Sequence, residues 1–460
     1  MVVGSAIIMQ QIDSTVITTA LPQMAVSLHT DPVRLSVAVT ADLLSLAVFV
    51  PVSGWAADRF GGRTVFRAAI ALFTLGSVLC GLSGNVVELT AARVLQGFGG
   101  AMMVPVGRLV LFRSIDKAAL IATMAYLQVP AQLGPVLGPP IGGFITTYFS
   151  WRWIFLVNVP LGILGIALVT LLFDNPKEDN PRPFDWAGFV LTGAALFSIM
   201  DGVEALSRGH GELGESAVLL IFGFSAGTLA LRHLRRITHP VLDLSVFRIA
   251  TFRAGIYGGS LFRAGAGTLV YLLPLLLQEV FGLSAASSGS ITFATAAGSI
   301  TMKAAGPRVI ARFGFRNVIL VNGVISAATI AMCALFVPGT PLLLIFGLLL
   351  VAGFFQSLQF TATQALGYAD IEPPQMSTAT SIASMAQQLS RGFGISVAAV
   401  LLHLSLNARD ATTLAHGDFV VAFAGATTFA LCCLLFTWSL PHDAAAEVSG
   451  HRVRIRDRIA

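Results

Sequence analysis

The chain has 460 residues, of which 55% are hydrophobic and only 11% charged, and its mean hydropathy is +0.81. Soluble domains carry roughly a quarter charged residues, so this composition excludes an ordinary soluble fold and points to an all-α integral membrane protein. The four cysteines (Cys80, Cys333, Cys432, Cys433) lie inside apolar runs without CxxC or His spacing, which excludes a cysteine-built metal or redox centre.

Apolar stretches long enough to cross a ~30 Å hydrocarbon core at 1.5 Å per residue are centred near residues 12, 46, 74, 99, 133, 163, 196, 223, 266, 295, 326, 354, 390 and 428, which gives about fourteen predicted transmembrane helices. The first has no charged n-region and no A-x-A cleavage site, so it is expected to be retained. The seventh ends among Asp201, Glu204 and Arg208. An even number of crossings places both termini on one side. With the N-terminus cytoplasmic, 21 of the 28 Lys and Arg residues fall in the inner loops and the C-terminal tail, and four (Arg34, Arg152, Arg208, Arg409) fall in outer loops. This asymmetry predicts that both termini are cytoplasmic. It also accounts for the net charge of +5 without a nucleic-acid partner; the basic tail "HRVRIRDRI" is expected to lie near anionic headgroups.

The remaining three cations, Arg93, Arg263 and Arg391, fall inside the segments. Ionisable groups at such depth are costly and usually face a partner or a water-filled cavity. From the rise per residue, Asp13 in the first segment lies ~18 Å from the cytoplasmic edge, and Arg93 in the fourth lies ~21 Å from that same edge. Asp42 in the second lies ~10 Å from the outer edge, at the same level. An Asp13/Asp42/Arg93 cluster is therefore expected. One arginine cannot neutralise two carboxylates, so one acid is expected to bind a proton near neutral pH. A plainer account of Asp42 is a side chain that snorkels to the outer surface.

Further along, "LGPVLGPPIGGF" (133–144) spaces Gly134, Gly138 and Gly142 by four, which makes one smooth helix face where another backbone can approach closely. Pro135, Pro139 and Pro140 bend that helix. "RFGGR" (59–63) and "RFGFR" (312–316) stand 253 residues apart in predicted cytoplasmic loops and imply two homologous halves. The halves differ chemically, because Asp58 before the first copy corresponds to Ala311 before the second.

Five motifs in order carry a family resemblance that runs along nearly the whole chain. "GWAADRFGGR" (54–63) resembles the loop signature of the major facilitator superfamily, and "QIDSTVITTALP" (11–22) resembles the first-helix motif of its fourteen-segment drug:proton antiporter branch. "LTAARVLQGFGGA" (89–101) is similar to the R-x-x-Q-G motif of the fourth helix, "LGPVLGPPIGGF" to the antiporter motif, and "WRWIFLVNVPLG" (151–162) to the run that opens the sixth helix. Within that branch "GGAMMVPVGR" (99–108), Arg263 and Lys303 are most similar to the MdtD-like group of multidrug exporters.

The resemblance implies a major facilitator fold of two six-helix bundles, over 1–175 and 241–442, with two inserted helices over 176–240 and a basic cytoplasmic tail over 443–460. It implies a gate on the cytoplasmic face made by Gly54, Asp58, Arg59, Gly61 and Arg63, with Asp58 latching the bundles through Arg108, Arg113 or a helix N-terminus. It also implies that Gly134, Pro135, Gly138, Pro139, Gly142 and Gly143 seal the path against leak. The plainer accounts of these two motifs are topology anchors and a packing seam. Asp42 departs from the family pattern, where an aromatic residue, commonly Tyr, stands in the second helix.

In the second half, Arg263 and Arg391 lie ~15 and ~22 Å from the inner edge, among Gln278, Gln356, Gln359, Gln364, Gln387 and Gln388. Two cations in a wet cavity favour an anionic substrate, unless they pair with helix C-terminal carbonyls. The expected function is proton-coupled efflux of small amphipathic compounds by alternating access. The alternative is export of a small organic anion or metal chelate through Arg263 and Arg391, and a non-transporting sensor or scaffold is the remote third. No Walker motif or cofactor site is present, so the proton gradient is the expected energy source. No H-x-x-x-D or H-E-x-x-H pattern gathers the eight histidines, so an enzyme acting on lipid is not expected. The expected setting is the bacterial cytoplasmic membrane, with a small molecule, protons and the lipid bilayer as partners, as a monomer.

Overall fold

The computed structural model describes residues 2–113, 134, 137–173, 175, 183–206, 213–238, 240–372, 375–411, 413–438, 440–441 and 445. All regular structure among them is helical. In chain order the helices are α1 (Val2–Ser27), α2 (Ser36–Phe60), α3 (Gly62–Leu82), α4 (Val86–Arg113) and α5 (137–148). They continue as α6 (Trp153–Leu172, with one irregular turn at Val157), α7 (Trp186–Ala205), α8 (Leu213–Leu234) and α9 (Ala250–Leu275). The last are α10 (Ala285–Phe313), α11 (Phe315–Cys333), α12 (Leu342–Tyr368), α13 (Met376–Ala408) and α14 (His416–Trp438). Every predicted segment centre lies in one of these helices except that near 133, which falls outside the described residues. Among the described residues, ten helices are long and apolar enough to cross a membrane.

The chain divides into two compact units, residues 1–242 with 273–290, and residues 243–272 with 291–460. The internal repeat is visible in local geometry. Gly61 turns the chain between α2 and α3 with φ +88°, and Gly314 does the same between α10 and α11 with φ +74°. Only glycine adopts this region without a steric penalty. At both turns the glycine N–H closes the preceding helix, onto Ala57 O at 2.9 Å and onto Ile310 O at 2.9 Å. Both glycine carbonyls then accept the first bond of the next helix, from Val65 and Val318. All three pairs of equivalent residues are 253 apart, the interval of the sequence repeat.

Side chains tie alternate helix ends of the first unit together. At one end, Gln23 donates to Thr146 O at 2.9 Å and accepts from Trp151 N–H, while Arg152 donates to Ser27 Oγ and Ser83 O. At the other end, Asn175 Oδ1 accepts from Thr64 N–H at 3.2 Å, and its amide donates to Thr64 Oγ1 at 2.9 Å. Asp185 caps α7 at that end by accepting from Gly188 N–H at 2.8 Å. Its carboxylate also meets His233 Nε2 at 2.8 Å and Val241 N–H at 3.2 Å, which fastens the entry of α7 to the exit of α8. Burial alone would raise the Asp185 pKa, but the donors Gly188, His233 and Val241 lower it below the usual value. Between the two ends, Phe66, Phe73, Met103 and Val106 build an apolar core with α1 and α2.

The second unit has its own core, around Met302, Phe315, Ile319, Leu358 and Leu366. Small residues let its helices touch backbone to backbone. A Cβ on Gly298 would meet Leu350 O at 1.9 Å, and one on Gly353 would meet Thr295 O at 1.9 Å, so α10 and α12 leave no room for a side chain at their crossing.

Candidate functional site

The first unit encloses a charged cluster at mid-helix. Arg93 on α4 is fully buried, with Asp13 of α1 and Asp42 of α2 4% and 3% exposed. Its Nη1 lies 2.5 Å from Asp13 Oδ2, and its Nη2 lies 3.0 Å from Asp42 Oδ2. The three residues therefore meet as their depths imply, and Asp42 does not reach the surface. Arg93 also donates from Nε to Ala38 O and stacks its guanidinium 5.9 Å from the Phe155 ring centroid.

Two amides complete the cluster. Gln96, one turn beyond Arg93, accepts from Arg93 Nη1 at 2.8 Å and donates to Asp13 Oδ1 at 2.8 Å and Ser77 Oγ at 2.7 Å. Asn158 on α6 donates to the same Asp13 oxygen at 2.9 Å. Both stand inside stretches that carry the family resemblance, at the Q of R-x-x-Q-G and in "FLVNVP", yet sequence reasoning assigned neither to the acid. The spacing i, i+3 between Arg93 and Gln96 was the available signal, since it puts both side chains on one helix face.

Gly134 and two glycines of α5 pack on α1, the helix that carries Asp13. A Cβ on Gly134 would meet Gln11 Cβ at 2.2 Å, one on Gly138 would meet Thr15 Oγ1 at 1.9 Å, and one on Gly142 would meet Thr19 Oγ1 at 2.6 Å. The spacing of four among Gly134, Gly138 and Gly142 thus matches positions 11, 15 and 19 on α1. Gly143 faces elsewhere, against the Ala285 carbonyl, and the Pro139 carbonyl sits where a Cβ of Gly289 would be. Pro135 lies outside the described residues.

At the α2–α3 turn, Asp58 is half-buried and Gly54 and Arg59 are exposed. Arg59 lies 6.0 Å from the Trp55 ring centroid. Gly61 is enclosed by Asn175, whose Oδ1 lies 2.3 Å from where a Cβ would sit, and Arg63 is half-buried. The side chains of Arg108 and Arg113, the expected latch partners, lie outside the description. The residue seen holding this turn is Asn175, which sequence reasoning missed. Glu204 was also missed. It is 3% exposed at the end of α7 and accepts from Ser36 Oγ of α2 at 2.6 Å, so α7 is fastened to the helix that carries Asp42.

In the second unit, Arg263 is 8% exposed, stacks 5.5 Å from the Phe360 ring and feels the positive charge of Arg391. Among the described residues no carboxylate pairs with either arginine. Gln388 stands one turn before Arg391, with its buried Oε1 unpartnered. Three of the other glutamines are placed by their own contacts or exposure. Gln359 is fully buried and bonded to Asn322 at 2.8 Å and Ile319 O at 3.1 Å, so it packs α11 against α12 and does not line a cavity. Gln364 is exposed, and Gln278 belongs to the first unit, where it donates to Thr19 O at 3.1 Å from the π-helical turn Leu276–Val280. Helical periodicity placed these residues within their segments but could not say which element each would face.

A two-half helical chain with a buried charge network in one half has the organisation of a membrane transporter. Residues 3–395 match the Major Facilitator Superfamily, and the chain belongs to it. The chain is 37% identical over 97% of its length, and 92% of the relative's, to a protein of Serratia proteamaculans (strain 568) named "Putative multidrug resistance protein MdtD". A protein of Cronobacter sakazakii with the same name is 38% identical over 96% of this chain and 94% of its own. Among solved structures, the D-xylose-proton symporter superposes with a TM-score of 0.68 at 15% identity, covering 96% of this chain and 98% of that one. A structure of the nucleoside transporter NupG superposes with a TM-score of 0.65 at 12% identity, covering 95% and 98%. At such identities the likeness concerns the fold. The chain is a multi-pass membrane transporter of small molecules, not an enzyme.

Proposed function

We propose that the protein is a proton-coupled antiporter that exports small amphipathic compounds across the bacterial cytoplasmic membrane by alternating access. It spans the membrane fourteen times as two six-helix bundles, 1–175 and 241–442, with an inserted pair over 176–240 and the basic tail 443–460 cytoplasmic, and it works as a monomer without a cofactor. The observation that carries this reading is the buried Asp13–Arg93–Asp42 cluster, which joins α1, α2 and α4 through a single cation. Adding or removing one proton there changes how many carboxylates hold the guanidinium, and with it the relative stability of inward-open and outward-open states. The relatives named as multidrug resistance proteins support the direction of transport. The glycine face of α5, pressed on α1, supports a closed seam beside the cluster.

The deciding experiment is proton release from proteoliposomes on addition of cationic drugs. Drug uptake without stoichiometric proton movement would falsify the coupling. A second reading, export of a small organic anion or metal chelate, draws on Arg263 and Arg391, with which no carboxylate pairs among the described residues. Carboxylates and metal–citrate chelates belong in the same screen, and equal loss of anion and cation transport in Arg263→Ala would remove that reading.

A further inference from the structure

Arg93 is one cation facing two carboxylates, so the cluster holds an uncompensated negative charge unless one acid is neutral. The two acids are not equivalent. Both oxygens of Asp13 are engaged, Oδ2 by Arg93 Nη1 at 2.5 Å, and Oδ1 by Gln96 Nε2 at 2.8 Å and Asn158 Nδ2 at 2.9 Å. Asp42 is as deeply buried, yet only its Oδ2 has a partner, Arg93 Nη2 at 3.0 Å, and its buried Oδ1 accepts no hydrogen bond. We propose that Asp42 is the carboxyl that takes up and releases the coupling proton, and that Asp13 remains the ionised anchor of Arg93. This rests on the proton-coupled reading above.

The argument is one of solvation. Three donors replace the water that Asp13 lost, and donors aimed at a carboxylate favour its charged form. Asp42 receives one ion pair and leaves an oxygen bare in a dry interior, where an unsatisfied charged oxygen costs more than a neutral acid. The charged and titratable groups that face it are Arg93 from α4, Asp13 from α1 and the Cys80 thiol from α3, which is directed at Gln96 Oε1 at 3.5 Å. From α7, packed on α2, the acid that reaches this helix is Glu204, bound to Ser36 Oγ six residues before Asp42.

The assignment specifies which tie the proton cuts. A neutral Asp42 removes the ionic tie between α2 and α4 and leaves the hydrogen bonds of Arg93 Nε to Ala38 O and of Ser45 Oγ to Val94 O, while Asp13 keeps Arg93 on α1. At its far end α2 runs into Asp58 and the Gly61 turn, so the loosened helix is the one that bears the cytoplasmic motif.

Infrared difference spectroscopy of the purified full-length protein in lipid, titrated across neutral pH, tests this with the proton alone as probe. In the wild type a protonated-carboxyl C=O band should grow on acidification. It should vanish in Asp42→Asn, persist at a shifted frequency in Asp42→Glu and persist with an altered midpoint in Asp13→Asn. Proton uptake after an acid jump should fall by about one proton per molecule in Asp42→Asn. A titrating band that survives Asp42→Asn, or no titrating band in the wild type, overturns the assignment. If Asp13→Asn does not fold, the two Asp42 variants decide the matter alone. Because neither substrate nor gradient is present, wild-type protein that titrates at Asp42 but releases no protons to drugs would remove the antiport reading and leave Asp42 as the titrating acid of the cluster.

Discussion

The unequal solvation of the two acids predicts unequal costs for the same isosteric change. In Asp13→Asn an amide nitrogen must replace one carboxylate oxygen. Placed at the Oδ2 position it faces Arg93 Nη1, and at the Oδ1 position it faces the amides of both Gln96 and Asn158, so either orientation sets donor against donor. Gln96 cannot relieve this by flipping, because its Oε1 accepts from Arg93 and its Nε2 also serves Ser77. Losing at least one charge-assisted bond, at about 1.5–3 kcal/mol each, and stranding a donor puts the cost of Asp13→Asn at about 3 kcal/mol. Asp42→Asn keeps a carbonyl oxygen toward Arg93 Nη2 and turns its amide to the position that already lacks a partner, so its cost should stay within about 1 kcal/mol. Equilibrium unfolding of the two variants in one detergent at neutral pH measures the difference, expected at about 2 kcal/mol. Equal destabilisation, or a larger loss for Asp42→Asn, would refute the reasoning from donor counts.

Three further outcomes follow from the packing and the charges. Gly138→Ala, whose Cβ would lie 1.9 Å from Thr15 Oγ1 and 2.8 Å from Thr15 Cβ, should lose about 1–3 kcal/mol by overpacking, whereas Gly54→Ala, with nothing within 4 Å, should be close to neutral in the same unfolding assay. Asp185→Ala should cost about 0.5–2 kcal/mol as a lost helix cap. Because the donors Gly188, His233 and Val241 lower the Asp185 pKa from its usual 3.8, that contribution is fully present above this value. The gap between wild type and variant should therefore close as pH falls below it, and a gap unchanged at low pH would dismiss the clasp. Arg263→Met removes a buried cation with which no carboxylate pairs among the described residues, while keeping an apolar chain near Phe360, so unfolding should show a gain of about 1 kcal/mol; a loss would mean that the arginine is paired.

Much of this organisation was legible in the sequence, and what was not has physical causes. Span positions follow from apolar length, and the Asp13/Asp42/Arg93 meeting follows from counting 1.5 Å per residue along helices taken to alternate in direction. Depth says nothing about azimuth. The glutamines of the second half show this, since Gln359 and Gln364 are five residues apart on α12, one buried in a polar knot and the other exposed. Asn175 and Glu204 were illegible for another reason. Each acts at a helix end on a residue more than 100 positions away, Thr64 and Ser36, and no local pattern announces such a pairing.

Each unit buries a polar knot, and the two knots differ in chemistry. Gln96 on α4 binds Ser77 of α3, and Gln359 on α12 binds Asn322 of α11, in the same kind of buried polar knot. One turn before these glutamines stand Arg93 in the first unit and Gln356 in the second, and among the described residues no acid is bonded into the second knot. A neutral amide knot holds helices together at any pH, whereas one arginine between two acids holds three helices to an extent that depends on a proton. If the cluster is the proton switch, proton-dependent loosening should therefore begin in the first unit and on α2, which loses its ion pair to α4 when Asp42 is neutral. Amide exchange should show this as faster exchange on acidification within α2 than within α11, after correction for intrinsic rates. The reverse order would place the switch outside the charged cluster.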